Sequence, residues 1–72
     1  MPKLPVLSGG DVVKALERLG FEQMRQKGSH VILQRRGVGC VVPLHKEVKS
    51  GTLAGIFRQA GLTQDEFIGA TR

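Results

Sequence analysis

The chain has 72 residues, 40% hydrophobic and 24% charged, with a formal net charge of +5. That length allows one small core and one domain over residues 1–72, and the single cysteine, Cys40, excludes an internal disulfide and a multi-cysteine zinc site. No apolar run approaches the roughly 20 residues that span a bilayer, and "MPKLPVLSGG" lacks the long apolar segment of a secretory leader, so a soluble, cytoplasmic protein is expected.

In chain order, Ser8, Gly9, Gly10 and Asp11 spell an N-cap followed by an acid at the third helical position. Val12, Leu16 and Leu19 then share one helical face, with Val13 beside them, and Gly20 stops the helix. Residues 21–25 form a weak first strand, because Glu22 and Gln23 interrupt its apolar character. Lys27 and Gly28 are expected to turn. Residues 29–36, around Val31, Ile32 and Leu33, are the strongest strand. Gly37, Val38 and Gly39 read as the next turn, Cys40, Val41 and Val42 as the third strand, and Pro43 as its end. After the loop "LHKEVKSGT", a second helix capped near Ser50 carries Leu53, Ile56, Phe57 and Ala60, and Gly61 ends it. Thr63 to Glu66 form a capping box that opens a short terminal turn with Phe67 and Ile68. The expected core is Leu16, Leu19, Val31 or Ile32, Leu33, Val41, Leu53, Ile56 and Phe57.

The placement of charge is informative. Residues 25–49 hold Arg25, Lys27, Arg35, Arg36, Lys46 and Lys49 against Glu47 alone, so the whole excess sits in the middle third. Such a patch suits a polyanion, nucleic acid first, although charge that merely solvates the surface has the same composition. Within it lies "QKGSHVILQRRG", where His30 follows a Gly-Ser pair at the mouth of a strand. Histidine exchanges protons near neutral pH and suits a general base for the ribose 2′-hydroxyl. Lys27, Arg35 and Arg36 are candidates to stabilise phosphorane charge or to hold the RNA backbone, and Gly28 permits close approach of a phosphate. The alternative for His30 is a structural or simply exposed histidine. His45 is either a solvated loop residue or a candidate general acid for the leaving 5′-oxygen, a role that a basic residue or water could also fill. A metal site of His30, Cys40 and His45 fits no compact zinc spacing, and Cys40 reads as a small hydrophobe. The chain has no Trp or Tyr, so base stacking is not its means of holding RNA.

"LSGGDVVKALERLGFE", "QKGSHVIL", "VVPLHKE" and "SGTLAGIFRQAGLTQDEF" together resemble the HicA family of small toxins, over nearly the whole chain. The resemblance implies an α+β fold of order α-β-β-β-α, like a double-stranded-RNA-binding domain, with two helices on one face of a three-stranded antiparallel sheet. It implies the toxin of a type II toxin–antitoxin module: a metal-independent mRNA endoribonuclease without cofactor, monomeric when free and neutralised by a HicB-like antitoxin. It makes His30 the catalytic base. The expected RNA contacts are Lys27, Gly28, Ser29, Arg35, Arg36, His45 and Lys46. The sequence departs from the pattern in one place. Many members carry two histidines in succession, whereas here Val31 follows His30. Successive strand residues face opposite sides, so a family geometry that used the later position would leave a noncatalytic RNA-binding or protein-interaction module on the same fold.

Overall fold

A computed structural model describes residues 6–71; the prolines at positions 2 and 5 lie outside it. Helix α1 (Gly9–Arg18) starts at a reciprocal capping box: the Asp11 N–H donates to Ser8 Oγ and the Ser8 N–H donates to Asp11 Oδ2, both at 3.1 Å. It is followed by β1 (Glu22–Lys27), β2 (His30–Arg35), β3 (Val38–Pro43), α2 (Ser50–Ala60) and α3 (Gln64–Ala70). The three strands form one antiparallel sheet in the order β1-β2-β3, so β2 is central and the other two are edges. This is the expected α+β arrangement, with the terminal turn extended into a third helix.

Alternation decides which residues enter the core. On β2, Val31 and Leu33 are 2% and 0% exposed, and their antiparallel partners Val42 and Cys40 are buried with them. These four meet Val12 and Leu16 of α1 and Leu53 and Ile56 of α2 in a single cluster. Phe67 of α3 closes it from the end, tilted at 45° against Phe57 with ring centroids 4.9 Å apart. The helices thus cover one sheet face and leave the other open.

Several boundaries differ from the sequence reading, each for a local reason. The first strand runs to Lys27, because an edge strand needs only backbone pairing and polar side chains do not end it. The turn after it is Gly28 and Ser29, not Lys27 and Gly28. The second turn is Arg36 and Gly37, both with positive φ (52° and 79°), as a two-residue type I′ hairpin requires, so β3 already begins at Val38. This register turns Val42 inward and leaves Val41, expected in the core, 39% exposed. Leu19 is only partly buried at the rim. The start of α2 agrees with the sequence reading: its N-cap is Lys49, next to Ser50, with no side-chain capping bond.

Two contacts tie the N-terminal segment to the far end of the sheet. Leu7 and Val48 form an isolated antiparallel bridge, and the Gly9 N–H donates to the His45 carbonyl at 2.9 Å. Gly9 lies so close to β3 that a Cβ there would run into the Pro43 carbonyl and Leu44 Cα. A side chain at this position is therefore excluded by backbone, which does not yield as a flexible side chain would.

Candidate functional site

The open sheet face carries the residues of interest, and a bulge decides which they are. In the β1–β2 ladder Gln23 faces Leu33 but Arg25 faces Ile32, so Met24 is an extra residue, 53% exposed. Without it, simple alternation from the buried Phe21 would turn Arg25 and Lys27 towards the helices. With it, both lie on the face of His30 and Ile32. Lys27 is directly opposite His30, and Arg25 is opposite Ile32. Side chains in such a facing pair have Cβ atoms about 5 Å apart. Arg25 is a member of this face that sequence reasoning did not single out, because a bulge in a polar strand leaves no mark on hydrophobic periodicity.

His30 is exposed and is the first residue of β2. It follows a turn held from both sides: Gln26 Nε2 donates to the Gly28 carbonyl at 3.0 Å, and the Leu44 N–H donates to the Ser29 carbonyl at 2.6 Å. Gly28 has φ 61° and open space where a Cβ would stand, so its backbone is accessible to a ligand. The Leu44–Ser29 bond also brings the "LHKE" loop alongside. His30 faces Pro43 across the ladder, and His45 and Lys46 follow directly after Leu44. Lys27, Gly28, Ser29, His30, His45 and Lys46 therefore gather at one end of the sheet.

Arg35 and Arg36 do not join them. Arg35 stands at the other end of β2, five residue steps or about 17 Å from His30, and Arg36 lies one step further, in the hairpin turn. Arg35 lies on the helix side: its Nη1 donates to the Leu19 carbonyl at 2.7 Å and its guanidinium sits 4.6 Å from the centroid of the Phe21 ring. Its charge also helps to lower the Glu66 pKa, after the hydrogen bonds from Thr63 that are the main cause. It fastens the end of α1 to the sheet. Arg36 occupies the tip of the hairpin in the left-handed region.

Val31 is a core residue on the helix side, not a neighbour of His30 on the open face. A histidine there would point into apolar packing. Cys40 is likewise buried on the helix side, where burial raises its thiol pKa, so Cys40, His30 and His45 do not converge. Among the described residues no group of three or more His, Cys, Asp or Glu side chains is placed to hold a metal ion, and no helix is long and apolar enough to cross a membrane. Two clefts, of about 130 and 260 Å³, lie on the helix side, the larger reaching Gln26 and Leu44 beneath the turn. The larger runs between α1 and β1, past Val13, Lys14, Gln23 and Gln26.

A family model described as the HicA toxin of bacterial toxin–antitoxin systems matches residues 9–62. The match begins with the first residue of α1 and ends just past α2, so it contains both histidines. The search among curated proteins gives no match.

Proposed function

This chain belongs to the HicA family of bacterial toxin–antitoxin toxins, and from that premise we propose that it is a metal-independent mRNA endoribonuclease whose general base is His30. One imidazole nitrogen of His30 takes the proton of a ribose 2′-hydroxyl. The 2′-oxygen attacks the adjacent phosphorus, the P–O5′ bond breaks, and the products end in a 2′,3′-cyclic phosphate and a 5′-hydroxyl. The nucleophile is the substrate's own hydroxyl, so the step needs a base and positive charge but no activated water.

The observation that carries this reading is the β1–β2 register. It sets Lys27 opposite His30 on an uncovered face, beside the accessible backbone of Gly28. Lys27 stabilises the developing phosphorane charge. Arg25, Ser29, His45 and Lys46 hold the neighbouring RNA, and Gly28 lets a phosphate come close to the backbone. Arg35 is assigned to the fold instead, and Arg36 to contacts remote from the scissile bond. The whole chain, residues 1–72, acts as one cytoplasmic domain, monomeric when free. The antitoxin silences it by covering His30 and the surrounding cations.

The test is cleavage of a defined RNA by the purified protein, in the presence of a chelator, scored for 2′,3′-cyclic phosphate ends. His30→Ala should lower the rate by about 10²–10⁴ while RNA binding and folding persist, since an exposed position contributes within about 0.5 kcal/mol. Equal cleavage by His30→Ala rejects the assignment. RNA binding without cleavage by the unaltered protein points instead to a noncatalytic binding module. Lys27→Ala should reduce the slope of log affinity against log salt by about 0.7, one phosphate contact's share on single-stranded RNA.

A further inference from the structure

Cleavage of the P–O5′ bond leaves an oxygen that must be protonated, and His30 as base does not begin the step with a proton to give. Three observations bear on the donor. First, Pro43 is the cross-strand partner of His30, and the ladder continues past it through the Leu44–Ser29 hydrogen bond of 2.6 Å. His45 is the next residue, two beyond the partner of His30. His45 lies just beyond β3, and strand spacing carried on past Pro43, with about 5 Å between strands and about 3.4 Å per residue along them, would put the two Cα atoms roughly 8 Å apart. That spacing lets two imidazoles flank a single phosphodiester.

Second, the backbone of His45 is held. Its carbonyl accepts from the Gly9 N–H at 2.9 Å, Val48 is bridged to Leu7 three residues later, and Gly9 packs directly on Pro43 and Leu44. The side chain is exposed all the same. A fixed backbone beneath a free imidazole is what a positioned proton donor needs. Third, the side-chain types at this end are ammonium, imidazole, carboxylate and hydroxyl. Only imidazole both carries and releases its proton near neutral pH; an ammonium holds it and a carboxylate has already given it up.

We propose that His45 is the general acid of the cleavage step, paired with His30 as base; this rests on the ribonuclease reading above. As the 2′-oxygen bonds to phosphorus and the P–O5′ bond breaks, the His45 imidazolium transfers its proton to O5′. His30 ends the step protonated and His45 neutral, and exchange with solvent restores both. Val31 has no place in this pair. The second histidine comes from the loop after β3, not from the next position on β2.

The test compares two RNAs of one sequence, spanning a site mapped with the unaltered protein. In the second RNA sulfur replaces the 5′-bridging oxygen at the scissile bond, and a thiolate leaves without protonation. His45→Ala and His45→Gln should each cleave the oxygen substrate about 10²–10⁴-fold more slowly. On the sulfur substrate both should return to within about tenfold of the unaltered protein. His30→Ala should stay slow on both. Rescue by sulfur also shows that the variants are folded. An equal loss on the two substrates, or no loss on either, overturns the acid assignment while leaving His30 as base. Failure of the unaltered protein to cleave either RNA overturns the ribonuclease reading and this one with it.

Discussion

Introducing the second histidine that many family members carry should damage this protein, not activate it. Val31 is 2% exposed and belongs to the central cluster with Leu33, Cys40 and Val42. In Val31→His the apolar contacts of the valine are lost, and a polar ring is forced in among Leu33, Cys40 and Val42, with only the Lys14, Gln23 and Gln26 side chains of the adjoining cleft to meet its nitrogens. An unsatisfied buried polar group costs about 1–3 kcal/mol, and overpacking a further 1–3 kcal/mol. Val31 also lines the cleft between α1 and β1, which takes up part of the added volume. The expected loss is therefore about 2–4 kcal/mol. A domain of this size has roughly 4–11 kcal/mol in total, and each kcal/mol shifts Tm by about 4–8 °C. A fall of some ten to thirty degrees follows. The loss should grow on acidification: apolar surroundings depress the pKa of the new imidazole in the folded state, so below about pH 6.5 the unfolded chain binds the extra proton. Thermal unfolding at two pH values, one above and one below that value, measures both effects. A Val31→His variant as stable as its parent at both pH values, and faster on RNA, would show that position 31 faces the substrate and that the register described here is wrong.

Gly9→Ala should destabilise by about 1–3 kcal/mol, since its methyl would meet the backbone of Pro43 and Leu44. Gly10→Ala is the matched control: the nearest atom to the new Cβ is Ser8 Oγ at 3.7 Å, so urea unfolding should show it neutral or stabilised by up to about 1 kcal/mol. Arg35→Met removes the bond to the Leu19 carbonyl and the contact with Phe21, and should lower the unfolding free energy by about 1–3 kcal/mol with RNA affinity retained. Asp11 and Glu66 are held below the ordinary carboxylate pKa, first by the N-cap backbone N–H groups of Ser8 and Thr63 and then by their hydroxyls. Depressed folded-state values mean that this stabilisation is present above the unfolded value, near pH 4, and is lost as pH falls through the lower folded ones. Asp11→Asn with Glu66→Gln should flatten the acid limb of stability against pH, as followed by circular dichroism.

Much of the helical architecture was legible because it depends on neighbours in sequence. The capping boxes at Ser8 and Thr63 satisfy N–H groups three residues away, and the apolar stripes of α1 and α2 need only the helical period. His30 was legible for a similar reason, since its motif is contiguous and adjoins a turn. The hairpin details were harder. Two-residue turns at Gly28 and Arg36 displaced the strand boundaries by one residue, and one residue exchanges the two faces of a strand. Val41 was expected inside for that reason, yet Val42 is the buried one.

What the amino-acid sequence determined by itself was the element order, the helix ends, the family motif and the basic middle third. What only the tertiary structure decided was which of those basic residues share a surface. Side chains six positions apart on a regular strand point the same way, so Lys27 should have followed Phe21 inward. The unpaired Met24 shifts the phase and turns Lys27 and Arg25 out beside His30. Arg35, one position from Arg36 and equal to it in charge, is instead drawn to the helix side by a carbonyl and a ring that lie 16 and 14 residues earlier in the chain. His45 reaches the neighbourhood of His30 only because β3 returns antiparallel to β2. Local propensity acts over a few residues, whereas these placements depend on strand pairing between segments that propensity treats as independent.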